Sequence, residues 1–316
     1  MGERAKVAFI GAGNLAWHLA PALHRVAADV VGIWGRSQTK HQWPLPYSTD
    51  LSTIPQHIDV LFLAVPDSSI GEVASQLAKY LPAEVHIIHG SGATGIDALD
   101  SYFRRSSHSP NDEILARDLE DRDAGSGNSP NDEILAQDLE DRDAGSGNSP
   151  NDEIRARDLK DRVSGLGAFW PIRSLTIGQK LVDFSHSAIG YYSPDPELEA
   201  MLKSWAEQLG PLHFRLDDHQ RASLHLAAAI GQNFTNFIYH LSYQLAEENG
   251  LPFRALIPLL QADPMNDKDP IDRQTGPAIR GDQATLEKHL NLLKDKPETR
   301  DLYLLVSQMI AAKNER

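Results

Sequence analysis

Residues able to do chemistry cluster at a few places in this chain of 316 residues. The first is Val7-Ala8-Phe9-Ile10-Gly11-Ala12-Gly13-Asn14-Leu15-Ala16, an apolar strand-like run leading into G-x-G-x-x-A and then a helical pattern. Gly11 allows a tight turn, Gly13 lets a backbone come close to a pyrophosphate, and small Ala16 lets the helix sit close on a sheet. The helix start offers free N–H groups to the negative charge. Gly11, Gly13, Asn14 and Leu15 are therefore candidates to hold a dinucleotide; the bland alternative is a tight strand-to-helix turn with no ligand. Pro21 sits inside the expected helix, where a kink or shortening costs about 3 kcal/mol.

The second strand-like run ends Trp34-Gly35-Arg36-Ser37, with Lys40 close behind. A site for NAD places an acid here for the ribose 2′-hydroxyl. Arg36 and Ser37 instead suit a 2′-phosphate, which favours NADP over NAD. Val65 and Pro66, ending the third run, belong beside the cofactor, while Asp67 or Ser68 is expected to cap the next helix. The fourth run ends His89-Gly90-Ser91-Gly92. His89 and Ser91 sit where ligands bind parallel sheets, and are candidates to meet a nicotinamide or substrate. Equally, His89 can simply hydrogen-bond to the backbone of a glycine-rich turn.

Two further groups lie in the C-terminal part. At about 100° per residue, His225, Gln232, Asn236 and His240 share one helix face, with Asn233 at its edge. Polar groups on an otherwise apolar helix need partners, either a substrate or another helix in a dimer. Gln274-Thr275-Gly276-Pro277-Ala278-Ile279-Arg280-Gly281-Asp282 gathers backbone N–H groups and one guanidinium. That suits an anionic substrate at Thr275 and Arg280, unless Arg280 is spent on Asp282.

The elements that must position these residues alternate. Lys6–Ile10, Val30–Trp34, Asp59–Val65 and Val85–His89 read as strands, with helices around Leu15–Arg25 and Ile70–Tyr80. Ala168–Pro171, Ala188–Tyr192 and Leu212–Leu216 read as further strands, with a helix at Glu197–Leu209. This spacing predicts an α/β Rossmann domain, a doubly wound parallel sheet, over residues 1–216. Residues 217–316 read as all-helical. One long helix is expected at His219–Asn249 and shorter ones at Phe253–Gln261, Ala284–Leu293 and Thr299–Ala312.

A tandem repeat interrupts the first domain. Ser109–Asn128 and Ser129–Asn148 differ only at Arg117 against Gln137, and a third copy from Ser149 decays, with Arg155, Lys160 and Val163 replacing Leu, Glu and Asp. The two full copies carry formal charges of −4 and −5, most of the chain's −14. With few apolar residues per unit, an insert at about 106–165 is expected to be a solvated, partly helical excursion rather than a domain. Asp121, Asp123, Asn128 and Asp132 offer oxygens for calcium, but the spacing departs from the EF-hand loop. No metal is expected.

The acidic balance argues against nucleic acid, which needs a basic face. With no cysteine, disulfides, thiolate metal sites and cysteine nucleophiles are excluded. No apolar run spans a bilayer, so no membrane partner and a cytoplasmic location are expected.

Together, Gly11–Ala16, Val65-Pro66-Asp67, His89–Gly92, Asn233-Phe234-Thr235-Asn236 and Thr275-Gly276-Pro277…Arg280-Gly281-Asp282 resemble a family of Rossmann-like NADP-dependent oxidoreductases with a C-terminal helical domain of unknown function. That family is related to pyrroline-5-carboxylate reductase and 6-phosphogluconate dehydrogenase-like enzymes. The resemblance covers nearly the whole chain outside the insert. It implies an NADP-binding N-terminal domain, a helical C-terminal substrate and dimerisation domain over 217–316 that forms a homodimer, and an active cleft between the two, but it supplies no substrate. The expected reaction is hydride transfer between NADP(H) and a small, anionic carbonyl or imine compound. β-Hydroxyacid dehydrogenases carry a catalytic Lys on the long helix; none occurs between Asp218 and Asn249 here. His225, with Asn236, is the candidate replacement as proton donor, and an imine substrate would need none. The competing class is a non-catalytic NADP-binding sensor or scaffold dimer.

Overall fold

Alternation along the first strand sets the architecture. Val7 and Phe9 point into one apolar cluster and Ala8 and Ile10 into another, as period-2 geometry requires of a strand covered on both faces. The computed structural model describes residues 4–77, 80–81, 84–103, 163–261 and 269–313. The chain divides into two compact units, Met1–Ala227 and Ala228–Arg316.

In the first unit, β1 (Lys6–Ile10), β2 (Asp29–Trp34), β3 (Tyr47–Ser48), β4 (Val60–Leu63), β5 (Val85–His89), β6 (Val163–Ile172), β7 (Ala188–Tyr192) and β8 (His213–Arg215) form one sheet in the order β3-β2-β1-β4-β5-β6-β7-β8. All neighbours are parallel except β6 and β7. The sheet order reverses beside β1, between β2 and β4, the switch point at which such sheets bind ligands. α1 (Asn14–Val26) and α4 (Pro196–Leu209) cover one face, through Leu19, Leu23, Leu198, Leu202 and Trp205. α2 (Ile70–Leu77) and α3 (Asp97–Phe103) cover the other, through Ile70, Leu77, Leu99 and Phe103. Phe9 stacks on Phe62 at 4.5 Å, and Phe169 meets Phe62 and Trp205 edge-on, so aromatic contacts cross β1, β4, β6 and α4.

Several expectations need correction. α1 runs through Pro21 from Asn14 to Val26 without being shortened; burial of Ala16, Leu19, Ala20 and Leu23 offsets the lost backbone bond. Neither Asp67 nor Ser68 caps a helix, because Pro66 opens a 3₁₀ turn at Asp67–Ser69 without a side-chain cap. β6 begins at Val163, so Val163–Gly165 belong to the sheet and not to the insert. The rest of the repeat, with its calcium and partial-helix readings, lies outside the described residues. β3 and α3 were not legible as elements in the sequence.

α5 (Asp218–Ala228) closes the first unit. Asp217 accepts from the Gln220 N–H at 2.8 Å while Gln220 Oε1 accepts from the Asp217 N–H at 3.1 Å, a reciprocal N-terminal cap. The division falls after Ala227 rather than at 216/217, because side chains of α5 pack on the loop after β5.

The second unit is helical. A π-helical stretch (Ala229–Phe234) and α6 (Thr235–Glu248) come first, so the expected single helix is in three parts. Gly250 at φ 66° ends α6, with the Leu251 N–H reaching the Ala246 carbonyl at 2.9 Å. The expected Phe253–Gln261 helix is a 3₁₀ turn followed by the short α7 (Ile257–Leu260), which opens on Pro258. α8 (Gln283–Leu292) and α9 (Pro297–Ala311) follow, joined by His289 Nδ1 and the Tyr303 hydroxyl at 2.7 Å. Among the apolar residues described in this unit, only Ala246, Ala278 and Leu293 are buried. Among the described residues, no helix is long and apolar enough to cross a membrane.

Candidate functional site

The carboxyl ends of β1, β2 and β4 open onto a cavity of about 750 Å³, large enough for a dinucleotide, lined by Gly11, Gly13, Arg36, Ser37, Val65 and Pro66 among others. Gly11 has φ 106°, and a Cβ there would run into the Ala64 carbonyl. Its N–H donates to the Trp34 carbonyl at 2.8 Å, tying the turn to β2. Gly13 is different. A Cβ there would meet only the Ala64 carbonyl, at 3.8 Å, so the protein itself leaves room at this position. Gly13 is also the N-cap of α1, with no side-chain cap and no acid in the first turn. The orphan N–H groups and positive helix end therefore face the cavity uncompensated. These features fit a pyrophosphate.

Asn14 and Leu15 are not among the cavity's lining residues. Asn14 Oδ1 accepts from the Ile177 N–H at 2.9 Å, and the Leu15 side chain packs where Gly90 has no Cβ. The expectation that these two side chains line a dinucleotide site is therefore not met by the cavity.

At the other end of the cavity, Arg36 and Lys40 are exposed, and neither forms a salt bridge among the described residues. The Tyr47 hydroxyl donates to the Ser37 carbonyl at 2.6 Å, fixing the start of this loop. Burial pushes the Tyr47 phenol up, so it stays a donor. Thr39 and His41 also line this end; Glu72 lines the cavity with its carboxylate accepting from Gln76 Nε2 at 3.1 Å. A guanidinium and an ammonium with no salt bridge among the described residues, near one backbone-fixed serine, suit a phosphomonoester.

The loop after β5 is built differently from expectation. His89 is fully buried, and its Nδ1 accepts from the Ser91 N–H at 3.2 Å. Burial, with Arg221 nearby, lowers its pKa to about 4 against the pull of Asp218, Asp67 and the Gly95 carbonyl. It is thus a neutral residue of the turn and, so enclosed, cannot touch a substrate. Ser91 Oγ accepts from the N–H groups of Ala93 and Thr94, at 3.1 and 2.8 Å, so its hydroxyl also shapes the loop. Arg221 on α5 then fastens this loop. Its Nε donates to the Ser91 carbonyl at 3.1 Å, and its Nη2 donates to the Thr94 carbonyl at 2.6 Å and to Asp218 Oδ1 at 2.7 Å. Asp218 Oδ2 accepts from the Ile96 N–H at 2.8 Å. Sequence reading missed this pair, although Asp218 and Arg221 at i, i+3 on a helix were its available signal.

His225, one turn further along α5, is exposed. Its ring lies 5.6 Å from that of Trp170, and Gly92 lies beneath both rings, where a Cβ would come within 2.6 Å of each. His225 is therefore held beside the β5 loop by an aromatic neighbour while keeping an open face. In the second unit, Asn233 falls in the π-helical stretch and Asn236 in the first turn of α6; both are exposed. Thr275 and Arg280 are exposed too. Arg280 forms no salt bridge with Asp282 among the described residues; Asp282 instead caps α8 through the Thr285 N–H (3.1 Å) and hydroxyl (2.7 Å), which hold its carboxyl below the usual range. No cluster of three or more metal-ligating side chains occurs among the described residues.

Residues 2–107 match the model of a Rossmann-like domain, and residues 188–310 match that of a domain of unknown function, DUF2520. No curated protein matches the sequence. Among solved structures, a proposed NADP oxidoreductase from Bacteroides fragilis is 26% identical, with 99% of each chain covered and a TM-score of 0.70. A Thermotoga maritima protein is 18% identical, covering 98% of this chain and 100% of that one, with a TM-score of 0.59. A reductive aminase from Aspergillus terreus, solved with NADPH and ethyl levulinate, is 14% identical over 97% of this chain and 92% of its own, with a TM-score of 0.53. The last two likenesses are of fold alone.

Proposed function

We propose that this chain, a Rossmann-like domain joined to a DUF2520 domain, is an oxidoreductase moving hydride between NADP(H) and a small, anionic carbonyl or imine compound. The observation that carries the reading is one cavity with an open Gly13 cradle at one end and, at the other, an Arg36 that forms no salt bridge among the described residues. The Bacteroides fragilis protein, similar along its whole length, supports it. A bound NADPH supplies the hydride; everything else is asked of the chain's own residues.

Gly11 makes the turn, Gly13 and the uncapped start of α1 would offer backbone N–H groups to the pyrophosphate, Val65 and Pro66 would wall the cofactor, and Arg36 and Ser37 would hold the 2′-phosphate. Arg221 and Asp218 hold the Ser91–Ile96 loop in one conformation. Ser91, held as part of that loop, is the residue we assign to the nicotinamide end of the site, where it would act by shaping the loop. His225, with its open face, is the group we assign to proton transfer when the substrate is a carbonyl; an already protonated imine needs none. Asn233, Asn236, Thr275 and Arg280, all exposed on the second unit, are assigned to substrate polarity, with Arg280 pairing a carboxylate. The shortage of buried apolar residues in the second unit, with Phe234, Phe237, Leu259, Leu292 and Met309 all more than half exposed, supports a homodimer built on these helices.

The test is calorimetric titration with NADPH and NADH, followed by a screen of keto acids and cyclic imines for cofactor oxidation. Failure of both cofactors to bind at millimolar concentration overturns the reading. Tight NADPH binding without turnover on any carbonyl or imine would favour a cofactor-binding sensor instead.

A further inference from the structure

Antiparallel neighbours such as β6 and β7 need only roughly two to five residues between them, yet here the connection runs from Arg173 to Ser187. Its middle is tied across α1. The Ile177 N–H donates to Asn14 Oδ1 at 2.9 Å, and Trp17 Nε1 donates to the Gln179 carbonyl at 3.0 Å. His18, almost fully buried, holds two points at once: its Nδ1 accepts from the Val182 N–H at 3.2 Å and its Nε2 reaches the Thr176 carbonyl at 2.9 Å. The first contact fixes the tautomer in which Nε2 donates.

The same segment reaches the opposite end of the nucleotide cavity. It turns at Gly178 with φ 81°, directly against the His41 ring; a Cβ there would lie 2.8 Å from His41 Cε1. The His41 ring also meets Trp17 edge-on at 5.5 Å. Ile177 and His41 both line the cavity. One strand of backbone therefore touches the helix whose N-terminus faces the pyrophosphate and the loop that carries Arg36, Ser37 and Lys40. Residues 173–183 of this connection run without helix or strand before a 3₁₀ turn at Phe184–His186 returns the chain to β7.

We infer that Leu175–Val182 is a strap that seats the 36–41 loop against the bound nucleotide, so that selectivity for NADPH over NADH depends on it. The inference rests on reading the cavity as an NADP site. Only NADPH uses the charges of the 36–41 loop, so loosening the strap costs NADPH affinity and spares NADH. No residue of the strap need touch the 2′-phosphate for this to hold.

Three measurements on the full chain test it. Gly178→Val drives a side chain into His41 and strains a left-handed backbone position, while Trp17→Phe removes one tie and keeps the aromatic ring. By calorimetry, Gly178→Val should raise the NADPH Kd about fivefold or more and the NADH Kd less than about twofold. Trp17→Phe should shift the ratio in the same direction by a smaller factor. In the wild type, saturating NADPH should slow tryptic cleavage after the exposed Lys180. Wild-type protein that binds neither cofactor overturns the cavity reading and the strap with it. Wild-type binding with an unchanged NADPH-to-NADH ratio in Trp17→Phe overturns the strap alone, and that variant decides the matter if Gly178→Val does not fold. Unprotected cleavage after Lys180 at saturation also counts against it.

Discussion

Arg221 and Asp218 form an ion pair, Nη2 to Oδ1 at 2.7 Å, around a guanidinium that is only 1% exposed. The pair fixes three backbone groups of the loop after β5. Asp218→Ala would leave that buried charge uncompensated and free the Ile96 N–H. A loss on the order of 3 kcal/mol is expected, larger than for a typical surface pair. Urea denaturation monitored by circular dichroism measures it; a change below about 1 kcal/mol would show that the pair is not what holds the loop.

Acid should destabilise the fold before carboxylates titrate. His89 has its folded pKa lowered to about 4 by burial, and His86 is lowered too, chiefly by burial against Asp195, Glu197 and Asp59. A base with a depressed folded pKa stabilises the fold fully above its unfolded value, and that stability is lost as pH falls toward the folded value. The His89 part is on the order of 3 kcal/mol. Thermal melts from pH 7.5 down to 4.5 should show Tm falling below about pH 6.5, and His89→Gln should flatten the curve.

The two glycines of the turn should fail differently. Gly11→Ala places a methyl in the Ala64 carbonyl at a positive φ, so it should lower Tm and prevent binding together. Gly13→Ala brings its methyl no nearer than 3.8 Å to the Ala64 carbonyl, so it should keep the melt near wild type and lose NADPH affinity by about tenfold or more. Paired melting and titration experiments separate the two. Equal stability losses would mean that the room at Gly13 is not for a ligand.

Arg36→Ala should weaken NADPH by about 10- to 100-fold and leave NADH within about twofold. Ribose binding by Arg36 would instead lower both affinities alike.

His225→Ala, at an exposed ring on Trp170, should leave the melt and NADPH affinity near wild type. If it donates the proton, turnover on a carbonyl substrate should fall by about 10²-fold or more, and turnover on a cyclic imine much less. Equal losses on both would assign it to binding.

The α/β alternation was legible because β1, β2, β4 and β5 are short runs rich in Val, Ile, Leu and Phe and α1, α2 and α4 each carry their own apolar stripe. β1, β5 and β7 have the bounds that their residues imply. α3 escaped notice because it is a single short segment whose role depends on Leu99 and Phe103 reaching a core built by distant strands. Of the site, Gly11, Gly13, Arg36, Ser37, Val65 and Pro66 could be picked out locally and line one cavity. His89 and Ser91 were correctly placed at a strand end, but their orientation was not: a buried Arg221 from α5, far along the chain, turns the loop into a pinned structural turn.

By itself, the sequence determined the alternating elements, the phosphate-type turn after β1 and the cation-bearing end of β2, because these depend on neighbours within a few residues. Tertiary structure alone decided that His89 is enclosed, that Asn14 ties down a distant segment instead of lining the cavity, and that Gly178 lies against His41. Those facts come from contacts between residues more than a hundred positions apart. Burial and hydrogen-bond partners at such range are fixed only when the sheet brings its strands together.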